Sequence, residues 1–204
     1  MKALLVVDLQ VDFLPNGALA VKEGDVIIPY INAIQDRFDL IVATQDWHPL
    51  DHQSFASQHL NQHVYDVVEL HGIPQVLWPD HCVQGTEGAA FSQAWKSNSV
   101  AAVFRKGMNK QVDSYSGFYD NNKIDSTGLL GFLKDKQVTE VYVCGLAAEF
   151  CVFYTAMDAK NAGFETYFLD FATKPITMEG LQQAKAKLIE NDVVIVNESE
   201  ELKV

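Results

Sequence analysis

A chain of 204 residues suits one α/β domain and leaves little room for two, so a single domain spanning 1–204 around one core is expected. Lysine and arginine number 15 against 27 aspartates and glutamates, a net charge of −12, which excludes a broad electrostatic grip on nucleic acid or an anionic membrane. With 48% apolar and 21% charged residues, the chain is too apolar to be disordered.

Residues 3–7 form an apolar run without alternation, the pattern of a strand buried on both faces. Asp8 interrupts this run far short of a membrane span or the apolar part of a secretion signal, so a cytoplasmic protein is expected. An amphipathic helix is predicted over 26–38, capped by Asp25, followed by a strand at 40–43. Residues 46–99 then break the pattern as one long, weakly periodic, histidine-rich loop, a length that points to function inside a compact domain. Further strands are predicted at 100–104, 141–144, 167–169 and 193–196. The remaining helices are predicted at 129–136, 150–162 and 178–191, the last with apolar Leu181, Ala184, Leu188 and Ile189. Ser126 or Thr127 can cap the second helix and Thr177 the last, while Gly163 lies just past the third. Six strands alternating with helices predict a three-layer α/β sandwich: a six-stranded, mostly parallel sheet with helices on both faces.

All six histidines fall between positions 48 and 81. Asp46, His48 and His52 directly follow a strand run, at the carboxyl edge where ligand sites of open α/β sheets lie, and His81 could reach back to them. A carboxylate and neutral imidazoles suit Zn, Fe or Mn. His59, His63 and His71 have no ligand partner at tight spacing and read as solvated loop residues. The three cysteines form no C-x-x-C pair, which argues against a disulfide framework. Cys144 sits inside an apolar strand and reads as core, and Cys82 simply follows His81. Cys151, in GLAAEFCV, falls at a helix start, where dipole and backbone amides favour a thiolate and can receive an oxyanion. Asp8 and Lys106 end two other strands on the same edge, so Asp8 can take the thiol proton while Lys106 holds the thiolate.

Together, DLQVDF, QDWHPLDH, WPDHCVQGT, FRKG, YSGF and GLAAEFCV resemble the motifs of the isochorismatase-like cysteine hydrolases, in order and across nearly the whole chain. The Asp-x-His pair and the later His resemble the nicotinamidase (pyrazinamidase) branch. The resemblance implies a catalytic triad at Asp8, Lys106 and Cys151, and a divalent metal on Asp46, His48 and His81, with zinc favoured over iron or manganese. His52 stands either as a fourth ligand or as holder of a metal-bound water. It further implies substrate contacts from Phe13, Trp78 and Tyr115, a cis peptide between Leu146 and Ala147, and an oxyanion hole at the amides of Ala147 and Cys151. The activity implied is hydrolysis of nicotinamide, and of pyrazinamide, to the acid and ammonia in NAD salvage, by a monomer or homo-oligomer. The alternative is a related hydrolase acting on another small amide or enol ether.

Overall fold

In this computed structural model, which describes residues 1–202, the chain runs β1 (Lys2–Val7), α1 (Ile28–Ile34), β2 (Leu40–Asp46), β3 (Val67–Leu70), β4 (Ile73–Val76), β5 (Ala102–Lys106), α2 (Leu129–Asp135), β6 (Glu140–Leu146), α3 (Phe153–Asn161), β7 (Glu165–Lys174), α4 (Met178–Glu190) and β8 (Val194–Val196). Six of the strands make one sheet in the order β5-β2-β1-β6-β7-β8. Every pairing in it is parallel, so the sheet is wholly rather than mostly parallel.

Both faces of the sheet are covered, which is why its central strands are continuously apolar. From β1, Leu4 and Val6 enter one core with Ile28, Ile31 and Ile34 of α1. Ala3, Leu5 and Val7 enter the other with Leu133 of α2, Ala156 and Ala159 of α3, and Ala184 and Leu188 of α4. Each fully buried Leu, Ile or Val adds about 1.5–3 kcal/mol over its exposed state, so β1 is a strong anchor for Asp8 at its carboxyl end.

Local details depart from the sequence reading for identifiable reasons. Asp25 caps nothing: it lies within a 3-10 turn, Gly24–Ile27, and Pro29 in the first turn of α1 removes a donor that a cap would satisfy. The second helix is capped by neither Ser126 nor Thr127: its N-cap is Gly128, in the left-handed region at φ +90°, while Thr127 Oγ1 and Ser126 Oγ accept from Leu129 N at 3.2 Å and Gly128 N at 3.1 Å just before the first turn. The last is capped as expected, Gly180 N donating to Thr177 Oγ1 at 3.1 Å. Ile189 is exposed rather than core, because it lies one residue beyond the apolar stripe that ends at Leu188. The 46–99 stretch holds the antiparallel ribbon β3–β4, whose alternately exposed residues and Pro74 give no apolar run. Among the described residues no helix is long and apolar enough to cross a membrane.

Candidate active site

Four adjacent strands, β5-β2-β1-β6, deliver their carboxyl ends to one place. Asp46 and Lys106 end β2 and β5 as register partners. Asp8 comes directly after β1 with φ +48°, a left-handed backbone that costs a non-glycine residue about 1–2 kcal/mol. Thr44 Oγ1 holds it there by donating to Asp8 Oδ1 at 2.6 Å. Beside it, Gly145 of β6 leaves room for β1: a Cβ there would lie 2.0 Å from Val7 O. Past β6, the Leu146–Ala147 peptide is cis, as the resemblance implied. Cys151 then falls in a π-helical turn, Ala148–Val152, rather than in the first turn of an α-helix, since α3 begins only at Phe153.

Lys106 is the hub of these groups. Its fully buried Nζ lies 2.9 Å from Asp8 Oδ2 and 2.5 Å from Asp46 Oδ1. It also donates to Ser114 O at 2.9 Å and reaches Cys151 Sγ at 3.3 Å. Burial opposes its charge, but Asp46 and Asp8 hold it well above the usual lysine range. Against burial, Lys106 and His48 hold Asp46 well below the usual carboxylate range. Burial raises Asp8 despite Lys106. It also pushes the Cys151 thiol well up, with Lys106 pulling the other way and Asp8 adding to the rise. The acidic thiol expected from a helix start is therefore corrected: desolvation wins, and the resting group is a neutral thiol beside a carboxylate that can take its proton.

His48 reaches the same spot through a second device. Its backbone N donates to Cys82 O at 3.0 Å, which pins the residue after His81 beside it. The Nδ1 atoms of His48 and His81 bond Gly107 O at 2.9 Å and Pro79 O at 2.8 Å, fixing the tautomer that leaves each Nε2 free to ligate. Those Nε2 atoms lie 3.5 and 3.7 Å from Asp46 Oδ2. A Cβ on Gly107, whose φ is +66°, would lie 2.3 Å from the His48 ring, so only glycine fits. Asp46, His48 and His81 thus present three buried donor atoms within 4.8 Å of one another, a set that fits a divalent metal. Next to them His52 Nδ1 bonds Ser54 Oγ at 2.8 Å, while its buried Nε2 has no hydrogen-bond partner. Burial lowers His52 to about 4, so it is a neutral ring. His63 and His71 are exposed as expected; His59 is instead half-buried, its Nε2 against Gln53 O at 2.7 Å.

A small cavity adjoins both groups, with Asp46, His81, Ala147 and Cys151 among its lining residues. Phe13, Trp78 and Tyr115 all line it. Trp78 stands edge-on to Phe150 at 4.9 Å, and Tyr115 OH accepts from Trp78 Nε1 at 3.2 Å. Burial pushes the Tyr115 phenol well up, so it is neutral.

The isochorismatase domain model matches residues 2–201. The chain belongs to the isochorismatase family. Within the family it is 46% identical over 192 residues to the nicotinamidase of Acinetobacter baylyi, covering 94% of this chain and 90% of that protein. It superposes with TM-score 0.95 on a nicotinamidase/pyrazinamidase from Acinetobacter baumanii, at 42% identity and 98% of both chains. Two further family structures hold ligands. PnC1 from L. infantum was solved in complex with nicotinate (39% identity, TM-score 0.85, 97% of this chain and 92% of that one). The pyrazinamidase of Pyrococcus horikoshii was solved in complex with zinc (38% identity, TM-score 0.78, 97% and 99%).

In this family member the sequence reading missed several residues that build the site. Gln10 clamps Asp46, its Nε2 donating to Asp46 O at 2.8 Å and its Oε1 accepting from Asp46 N at 2.8 Å. Leu19, Phe150 and Ile176 complete the cavity wall, and Asp113 enters it beside Tyr115. Only Asp113 carried a signal, as a carboxylate two residues before the YSGF motif.

Proposed function

We propose that the chain is a cysteine amidohydrolase converting nicotinamide to nicotinate and ammonia, and acting on pyrazinamide likewise, in NAD salvage. One observation carries the reading: a single ammonium, Lys106, touches the thiol, its proton acceptor and the metal-binding carboxylate at once. Cys151 Sγ attacks the carboxamide carbon as its proton passes to Asp8. The oxygen of the tetrahedral intermediate is received by the amides of Ala147 and Cys151. Asp8 returns the proton to the departing nitrogen, and ammonia leaves a thioester on Cys151. Asp8 then takes a proton from water, which attacks the thioester, and returns it to Sγ as nicotinate is released. Throughout, Lys106 stays charged and offsets the negative charge that moves between Asp8 and sulfur.

Phe13 and Trp78 supply apolar ring surface for a flat heteroaromatic substrate, and the neutral Tyr115 phenol offers a polar edge. Asp46, His48 and His81 would hold the divalent ion, for which we propose zinc, since a carboxylate with two imidazoles is a common zinc set that leaves positions open. When bound, the ion supplies a Lewis-acidic contact that orients the pyridine nitrogen. The three cysteines, all free, fit a reducing cytoplasmic compartment.

The test is ammonia release from nicotinamide by purified protein and by Cys151→Ala, with elemental analysis of both. The proposal requires turnover by the wild type, none by the variant, and equal metal content in both. Wild-type inactivity on nicotinamide alongside hydrolysis of an enol ether would overturn it.

A further inference from the structure

One buried carboxylate near the site has no lysine or arginine partner among the described residues. Asp113, between β5 and α2, is 4% exposed. Its Oδ1 accepts from Ser114 N at 2.8 Å and its Oδ2 from Gln75 Nε2 at 3.0 Å, the latter reaching in from β4. Among the described residues no lysine or arginine pairs with it, although a buried carboxylate normally has such a partner. Instead it faces histidines: one ligand atom each of Asp113, His48 and His52 lie within 4.8 Å of one another. His52, a member of the same group, has a buried Nε2 without a hydrogen-bond partner.

The charges around the cavity give the reason. Asp8, Asp46 and Asp113 are buried with a single ammonium, Lys106. With the histidines neutral, as ligation requires, and the thiol protonated, these carboxylates leave two negative charges in excess. Lys106 is shared between Asp8 and Asp46. A dication on Asp46, His48 and His81 brings the cluster to neutrality, and Asp113 is the charge that makes a dication, rather than a monocation, the balancing ion.

We propose that Asp113 is the electrostatic counter-charge of the metal site, a carboxylate outside the ligand trio that raises affinity for a divalent ion. This rests on the divalent-metal reading above. It also gives a role to Gln75, the one buried residue of the β3–β4 ribbon, which donates to Asp113.

The test measures Zn²⁺ affinity by chelator competition, and melting temperature with and without Zn²⁺, for the wild type, Asp113→Asn, Asp113→Ser and Gln75→Ala. Both uncharged replacements at 113 should weaken Zn²⁺ binding by roughly 10–100-fold, the range typical for groups just outside a ligand shell. Both variants at 113 should gain less in melting temperature from Zn²⁺ than the wild type gains. Gln75→Ala, which keeps the carboxylate and removes only one of its hydrogen bonds, should lose less affinity than Asp113→Asn. Unchanged Zn²⁺ affinity at 113, equal losses from Gln75→Ala, or metal-free and loaded forms destabilised alike would each overturn the proposal. If wild type bound no divalent ion, the metal reading itself would fall; wild-type binding with unaltered 113 variants would refute only the role of Asp113.

Discussion

Lys106→Met removes the charge around which the site is organised, with little change in volume. In metal-free protein it leaves Asp8 and Asp46, both buried, without the ammonium that lies 2.9 and 2.5 Å from them. At an effective dielectric of about 20, each contact is worth roughly 6 kcal/mol of gross attraction, most of which offsets desolvation. The net cost of stripping one partner from a buried ionic group is about 3–5 kcal/mol. Asp8, already raised, can escape by binding a proton, so the lower end is expected at neutral pH, a fall in Tm of roughly 6–12 °C for a chain of this size. The effect depends on pH with a defined sign. In the wild type, the depressed Asp46 contributes stability above its unfolded value of about 3.9 and loses it as pH falls through its lower folded value. In the variant both carboxyls are raised in the folded state, so the folded protein binds more protons and loses stability as pH rises from about 4 toward neutrality. The gap between the two melting curves, followed by circular dichroism in chelator, should widen from pH 4.5 to 7.5. A gap that is flat across this range, or below about 1 kcal/mol at pH 7.5, would refute the account of Lys106 as the counter-charge of two buried carboxylates.

Alkylation should modify Cys151 ahead of Cys82 and Cys144, because Cys151 lines the cavity whereas the other two are fully buried. Since burial raises all three thiols, labelling followed by peptide mass spectrometry should accelerate with rising pH, and earlier labelling of Cys82 would contradict the geometry. His81→Ala should lose bound metal by elemental analysis while His59→Ala keeps it; equal losses would displace the metal site. Gly107→Ala should cost about 1–2 kcal/mol from the left-handed backbone alone, and more through the 2.3 Å approach to His48, with metal content falling in step with activity. Full metal occupancy in that variant would show that the His48 ring tolerates displacement.

Much of this protein is legible in one dimension because parallel sheets covered on both faces demand continuous apolar runs, and a polar residue at the end of such a run marks the ligand-binding edge. Asp8, Asp46 and Lys106 are found by that rule, and the Asp-x-His spacing places His48 with them. Cys151 was legible as a position but not as a chemical state: only the surrounding burial shows that desolvation outweighs Lys106 and keeps the thiol protonated. The groups that hold the site together were not readable at all. Gln10 reaches 36 residues along the chain to clamp Asp46, Gly107 makes room for a ring 59 residues before it, and Gln75 crosses from an exposed ribbon to orient Asp113, 38 residues on. Local patterning dictates which face of a strand or helix is buried, because that depends on neighbours in sequence. Which distant polar atoms must find one another depends on where strands of a closed core end in space, and that is decided only when the chain has folded.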